Sequence, residues 1–350
     1  MINDRKAAEL KKSLHREKIF AEAGERSGVI DRILENFKHV DIFYIRSKNP
    51  ANCVKFLDDD AVIVWDVYYW EIFAKYLTCV INCRAAGLNV TQGVIAEMAD
   101  FLGSKYSFCR DVARFLKQIP ENFSVETQNP GNPGAVQLYT EVAQLFSLFH
   151  EMAHIESRRG GNSQILSCRQ LVLDMFGALK EEAFAHLGHW AELGKRVAKW
   201  DCEMPENIFE EVVSDVFAAI QTLDFLNAGD LINEWKSASC CTAAIDHLFT
   251  FQTMFNAVNT AWDHHLPEIM FRLPVRTHEI NPYINELAMA RYSLGFSLLV
   301  TAICSKQRLS KEQRHNLWEL RDTGHVDNTG VLACLADEEF ICTAIEEAFA

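Results

Sequence analysis

The residue pattern of the first third of the chain changes character twice. Residues 4–25 carry charge throughout and predict a helix, with a second, shorter one over 28–38. From His39 the residue types change. The stretches 39–45 (HVDIFYI), 53–57 (CVKFL) and 61–65 (AVIVW) are rich in β-branched and aromatic residues, and Asp58-Asp59-Asp60 supplies a turn. A small sheet is expected there. Helical spacing returns over 68–83, 91–102 and 106–117. A break follows between Pro120 and Gly134. In it, 122–128 (NFSVETQ) alternates as an edge strand would, and 129–134 (NPGNPG) has the composition of a loop. Beyond Ala135 nearly everything reads as helix: 135–158, 163–196, 205–227, 229–258, 283–305, 309–321 and 336–348.

This pattern predicts an α+β fold, predominantly α-helical, with a small sheet drawn from the N-terminal third. Three parts are expected: 1–134, holding the sheet and several helices; 135–305, a helical core; and 306–350, a C-terminal helical extension. With 350 residues, 49% of them hydrophobic, the chain can bury a sizeable core. The net charge of -14, without a long Lys/Arg cluster, argues against nucleic acid as a partner. The 11 cysteines are scattered and form no C-x-x-C pair, which argues against a zinc ribbon and for free thiols in a reducing compartment. The N-terminal twenty residues are charged and carry no secretory signature. The apolar stretch 294–304 is too short to span a bilayer. A cytoplasmic protein with no membrane segment is the expectation.

The predicted helix 135–158 holds the first candidate chemistry. Gly131 and Gly134 precede it, Gly160-Gly161 end it, and Arg158 and Arg159 occupy its last turn, where cations suit the helix dipole. Val142, Leu145, Leu148, Phe149 and Met152 make it apolar over most of its circumference. Two imidazoles and a carboxylate in such a helix lose water and need partners. His150 and His154 stand four apart, so both rings share one face and can offer nitrogens to one divalent ion. Glu151, next to His150, is placed to hold a water there rather than to bind the ion. Without an ion, the same residues read as core histidines satisfied by other partners.

Zinc needs a third protein ligand and keeps a fourth position open in a catalytic site. A third histidine six residues after His154 is absent, since Gly160 stands there and Ser157 occupies the place of the usual glycine. The alternative source is a later helix, 208–220 (IFEEVVSDVFAAI). Ile208, Phe209, Val212, Val213, Val216 and Ile220 form its apolar stripe, and Glu211 and Asp215 lie one turn apart beside it. Glu211 can reach the ion, and Asp215 can accept a hydrogen bond from the outer nitrogen of a ligand histidine. Taken alone, this helix reads as amphipathic with a solvated acidic face.

HEMAH at 150–154 followed by EEVVSD at 210–215 resembles the gluzincin, or thermolysin-like, zinc metallopeptidases, whose glutamate helix carries E-x-x-x-D. The resemblance covers two short segments. Glu211 lies 57 residues after His154, a longer interval than in thermolysin. It implies a zincin-like catalytic core, a Zn2+ cofactor held by His150, His154 and Glu211, Glu151 as general base, and Asp215 supporting a ligand. It implies hydrolysis of a protein or peptide substrate. For the donor that stabilises the oxyanion, Thr277-His278 resembles a T-H-P segment of some members, with Glu279 in place of the proline. His278 is the first candidate, then Tyr283, then His325. An extended substrate is expected along an edge strand, supplied by 122–128 or by 61–65. Which substrate, and whether an inhibitory or regulatory protein partner restrains the enzyme, is not written in the sequence.

Two other readings use the same residues. Glu151 and His154 form an E-x-x-H pair, and Glu312 and His315 a second. Two such pairs can build a di-iron carboxylate site of an oxidoreductase, with Glu181, Glu182, Glu210 or Glu211 completing it. That arrangement leaves His150 without a role. The third reading is a non-catalytic zinc-binding interaction protein, which has no need of Glu151. His186, His189 and Asp263-His264-His265 are set aside as isolated pairs.

Overall fold

Four short strands form one sheet in the order β1-β2-β4-β3: β1 (Ile19–Glu22), β2 (Asp41–Ser47), β3 (Cys53–Leu57) and β4 (Asp60–Asp66). The computed structural model describes residues 19–22, 30, 33, 40–47, 52–57, 60–86, 133–160, 162–185, 206–228, 233–271, 291 and 295–319. β1 pairs antiparallel with β2, β2 parallel with β4, and β3 antiparallel with β4. β3 and β4 form a tight hairpin in which Leu57 pairs with Asp60, as the aspartate run predicts. β4 is interior, and Val62, Ile63, Val64 and Trp65 are all buried. The stretch 61–65 therefore has strands on both sides and cannot serve as the exposed edge expected from sequence. Among the described residues β3 is the edge strand on that side of the sheet. The other candidate edge, 122–128, lies outside the described residues.

The helices are α1 (Val67–Ala86), α2 (Pro133–Arg159), α3 (Ser163–Ala185), α4 (Glu206–Ala228), α5 (Glu234–Phe271) and α6 (Phe296–Lys306). A further helical stretch covers 311–319. The described residues are thus mostly helical with a small sheet, an α+β arrangement. Helix limits match the sequence pattern most closely for α2 and α4. Three expectations need correction, the first being that α5 continues to Phe271 where 258 was expected to end it. Residues 19–22, expected inside a helix over 4–25, are a strand, because their backbone completes the ladder beside β2. The break before α5 falls at Asn233, whose side chain accepts a hydrogen bond from the Lys236 backbone N–H and caps the helix. The predicted helices 91–102, 106–117 and 336–348 lie outside the described residues.

One core joins the parts. Its buried members run from Ile30 and Ile33 through Trp65, Trp70 and Phe73 of the sheet and α1 to Phe146, Phe249, Phe296 and Leu317. A second cluster, with Ala153, Ile165, Val172, Val212, Val213, Val216 and Leu298, locks α2, α3, α4 and α6 together. α2 is central, packing on α1, α4 and α5. Among the described residues no helix is long and apolar enough to cross a membrane.

Candidate metal centre

α2 ends where the sequence predicts. Gly160 adopts a left-handed φ of 73°, and its N–H turns back to the carbonyls of Glu156 and Ser157. That end anchors the helix beside the sheet, with the Arg158 guanidinium 4.1 Å from the ring centre of Phe56 on β3. One turn earlier, the side chains of His150 and His154 project from the face that meets α4. The α4 stripe of Ile208, Phe209, Val212, Val213 and Val216 is buried as expected. This fixes the rotation of α4 and turns Glu211 and Asp215 toward α2.

The result is a ring of three donors. His150 Nε2 and His154 Nε2 are 3.1 Å apart. His150 Nε2 is 3.3 Å from Glu211 Oε2, and His154 Nε2 is 3.5 Å from Glu211 Oε1. One ligand atom from each of the three residues falls within 4.8 Å of the others, and this is the group of metal-capable side chains among the described residues. The spacing can be tested against an ion. Ligands held at about 2.0–2.2 Å in a tetrahedron stand about 3.3–3.6 Å apart. Two of the observed separations reach that range, and the third falls a fifth of an ångström short. Two imidazoles with one carboxylate are also a donor set that zinc favours over magnesium or calcium.

The surroundings hold this ring from behind. His150 Nδ1 is 2.8 Å from Asp215 Oδ1. The approach is close, but the ring N–H is not aligned well enough to make a full hydrogen bond. Asp215 is completely buried, and Arg291 engages both of its oxygens, at 2.9 Å through Nε and 2.7 Å through Nη2. Arg291 also places Nη1 3.5 Å from Glu211 Oε2 and its guanidinium 5.2 Å from the ring centre of Phe249. A buried carboxylate needs such partners, because desolvation otherwise costs several kcal/mol.

Charge in the metal-free site follows from these contacts. Burial opposes a charge on His150, but the Asp215 carboxylate and then the Glu211 oxygen raise its pKa to about 10. Burial, then the His150 charge, push His154 down to about 4. The metal-free pair therefore carries one positive charge, on His150, with neutral His154 accepting from its Nε2–H. Burial works against the ionised forms of Glu211 and Asp215. His150 holds the Glu211 carboxyl well below the usual range, and Arg291 does so for Asp215. Arg291 stays charged despite burial, held by Asp215 and Glu211. A positive charge thus already sits where the three donors converge.

Glu151 is not part of the ring. It lines the same cavity of about 930 Å3, as do Asn52, Val54 and Phe56 of the β3 region, Tyr69 of α1, and Arg169 of α3. Burial pushes its pKa up to about 7, while the His150 charge and the Val54 backbone N–H pull the other way. The edge strand β3 therefore borders Glu151 directly. Arg169, also on the cavity lining, pairs with Glu210, and with Glu206 at 3.3 Å.

Five of the six residues singled out from sequence meet here: His150, Glu151, His154, Glu211 and Asp215. The sixth, His278, lies outside the described residues, as do Tyr283 and His325. Side chains of 181, 182, 186, 189 and 263–265 are likewise not described. The second E-x-x-H pair is elsewhere. His315 is 70% exposed and pairs with Glu319 at 3.2 Å. It takes no part in the metal-capable group, so the di-iron arrangement finds no second half among the described residues. Sequence reasoning missed Arg291, which lies outside every motif it singled out. It also missed Val54 and Tyr69. No family model, no curated protein and no solved structure matches this chain.

Proposed function

We propose that this chain is a zinc-dependent metallopeptidase with a zincin-like, gluzincin-type site, hydrolysing a peptide bond with Glu151 as general base. The observation that carries the reading is the three-donor ring of His150, His154 and Glu211, with an uncoordinated carboxylate, Glu151, in the cavity beside it. When bound, zinc supplies Lewis acidity that brings the pKa of water to about 7 and polarises a carbonyl. The residues of the chain do the rest. Glu151 takes a proton from the attacking water and hands it to the leaving amine as the C–N bond breaks.

Asp215, fixed in turn by Arg291, stands against the outer nitrogen of His150 and favours the ring orientation that presents Nε2 to the ion. The β3 edge offers backbone groups for an extended peptide laid along the cavity. A cavity of about 930 Å3 accommodates a peptide segment of a few residues. The scattered cysteines, of which the six described ones are free thiols, accord with work in the cytoplasm. Presence of Glu151 in the cavity favours this reading over a zinc site with a purely structural task, since such a site needs no base.

The test is cleavage of a mixed library of quenched fluorescent peptides by the full chain. Zinc-loaded protein is expected to cleave, chelation to stop it, and added zinc to restore it. Cleavage that survives removal of all metal would contradict the proposal, as would zinc-loaded protein that cleaves nothing.

A further inference from the structure

Among the described residues Arg158, Arg169 and Arg291 line the cavity. Two of these cations are already answered. Arg291 is held by Asp215 and Glu211, and Arg169 by Glu210 and Glu206. Arg158 is exposed, and no carboxylate among the described residues pairs with it. Its neighbour Arg159 does have one, Glu156 at 3.7 Å. Arg158 rests instead on an aromatic platform, its guanidinium 4.1 Å from the ring centre of Phe56 on β3. Stacked in this way, a guanidinium keeps the N–H donors of its edge open to a planar acceptor.

Two periods place Arg158 along the cavity. On α2 it stands four residues after His154, so it leaves the same face about 6 Å further along the helix. The strand runs in the same order. The Val54 backbone N–H is turned to Glu151, and therefore away from β4. Phe56, two residues on in an unbroken register, repeats the orientation of Val54 about 6.8 Å further along. The outward backbone edge of β3 thus starts beside Glu151 and passes beneath Arg158. An extended peptide on that edge with its cleaved bond beside Glu151 brings the group two residues away against the guanidinium.

We propose that Arg158 sets substrate specificity, its guanidinium binding a substrate carboxylate about two residues from the cleaved bond. This assignment rests on the peptidase reading above and narrows it to peptides with an acidic group at that place. The carboxylate is an Asp or Glu side chain, or the C-terminal carboxylate of a short peptide. The chain as a whole carries a net charge of -14 and repels acidic ligands, so acceptance of a carboxylate depends on a cation left open for it.

The test compares kcat/KM for matched variants of a quenched fluorescent peptide that the zinc-loaded full chain cleaves. One arm scans Glu, Gln and Lys through the positions on either side of the cleaved bond. The other compares a free with an amidated C-terminus. The proposal predicts a preference of about tenfold or more for the carboxylate, in one of the two arms. Arg158→Gln should bring that ratio to about one, and Arg158→Glu should turn it in favour of Lys, each with one zinc per chain. No preference in wild type, or a preference that survives both substitutions, would overturn the assignment and leave the peptidase reading standing. A preference lost together with the zinc would assign Arg158 to the fold and overturn it as well. A zinc-loaded wild type that cleaves no peptide would defeat the peptidase reading itself, and this assignment with it.

Discussion

Two histidine–carboxylate pairs in this chain look alike in distance and differ in everything else. His150 and Asp215 approach to 2.8 Å, with side chains 8% and 0% exposed. His315 and Glu319 approach to 3.2 Å, at 70% and 62% exposed. The second pair is an i,i+4 contact on a helix surface, where solvent screens the attraction. The first joins two helices across a core and draws in Arg291, Glu211 and His154. Burial is what turns one contact into part of a site. It removes water as an alternative partner, so each charge must be answered by a residue in a fixed place.

The comparison can be broken most sharply at Glu151, the carboxylate beside the buried pair. Glu151→Gln is expected to keep one zinc per chain and lose cleavage by about 10^2 to 10^4-fold, the usual span for a general base. Undiminished cleavage by a zinc-loaded variant would remove Glu151 from its role. Next comes the pair itself. Asp215→Ala strands the Arg291 and His150 charges in the core and should cost about 3–5 kcal/mol of stability in urea unfolding of metal-free protein. Glu319→Ala, its exposed counterpart, should change stability by no more than about 0.5 kcal/mol. Equal losses would erase the distinction drawn here.

A smaller effect concerns protons. The pKa of His150 in the metal-free fold is raised from 6.5 to about 10. A raised folded value means that its contribution to metal-free stability is complete below pH 6.5 and is lost as pH rises through 10. Between pH 7 and 9 the ring is protonated and must release that proton to bind an ion. Zinc uptake should therefore release about one proton from His150, and apparent affinity should rise about tenfold per pH unit in that window. Calorimetry in buffers of different ionisation enthalpy counts the proton. Affinity independent of pH from 7 to 9 would contradict the protonated state assigned to His150.

Much of this site was legible in the sequence, because its parts are local. The apolar face of α2, its Gly160 terminus and the i,i+4 placement of His150 and His154 follow from one helical period. The α4 stripe likewise fixes which side Glu211 and Asp215 occupy. What escaped depends on contacts between distant segments. Arg291 lies 76 residues beyond Asp215, and nothing in its own neighbourhood marks it as the counter-charge of a buried carboxylate. The choice of β3 over β4 as the edge is a matter of strand order, and the β2–β4 parallel pairing inserts β4 between two neighbours. Hydrophobic patterning does reveal that 61–65 is buried, but a continuous apolar run is the mark of an interior strand rather than an edge. Four residues at 19–22 are too few to show a strand period inside a charged stretch.

The central claim is that His150, His154 and Glu211 hold one zinc ion. X-ray absorption at the zinc edge, on full-length protein loaded with one equivalent, tests it most directly. The account predicts two imidazole nitrogens and carboxylate oxygen at about 2.0–2.2 Å, with the imidazole signal lost in His150→Ala. Sulfur neighbours at about 2.3 Å, drawn from the 11 cysteines, or a spectrum unchanged by that substitution, would contradict it.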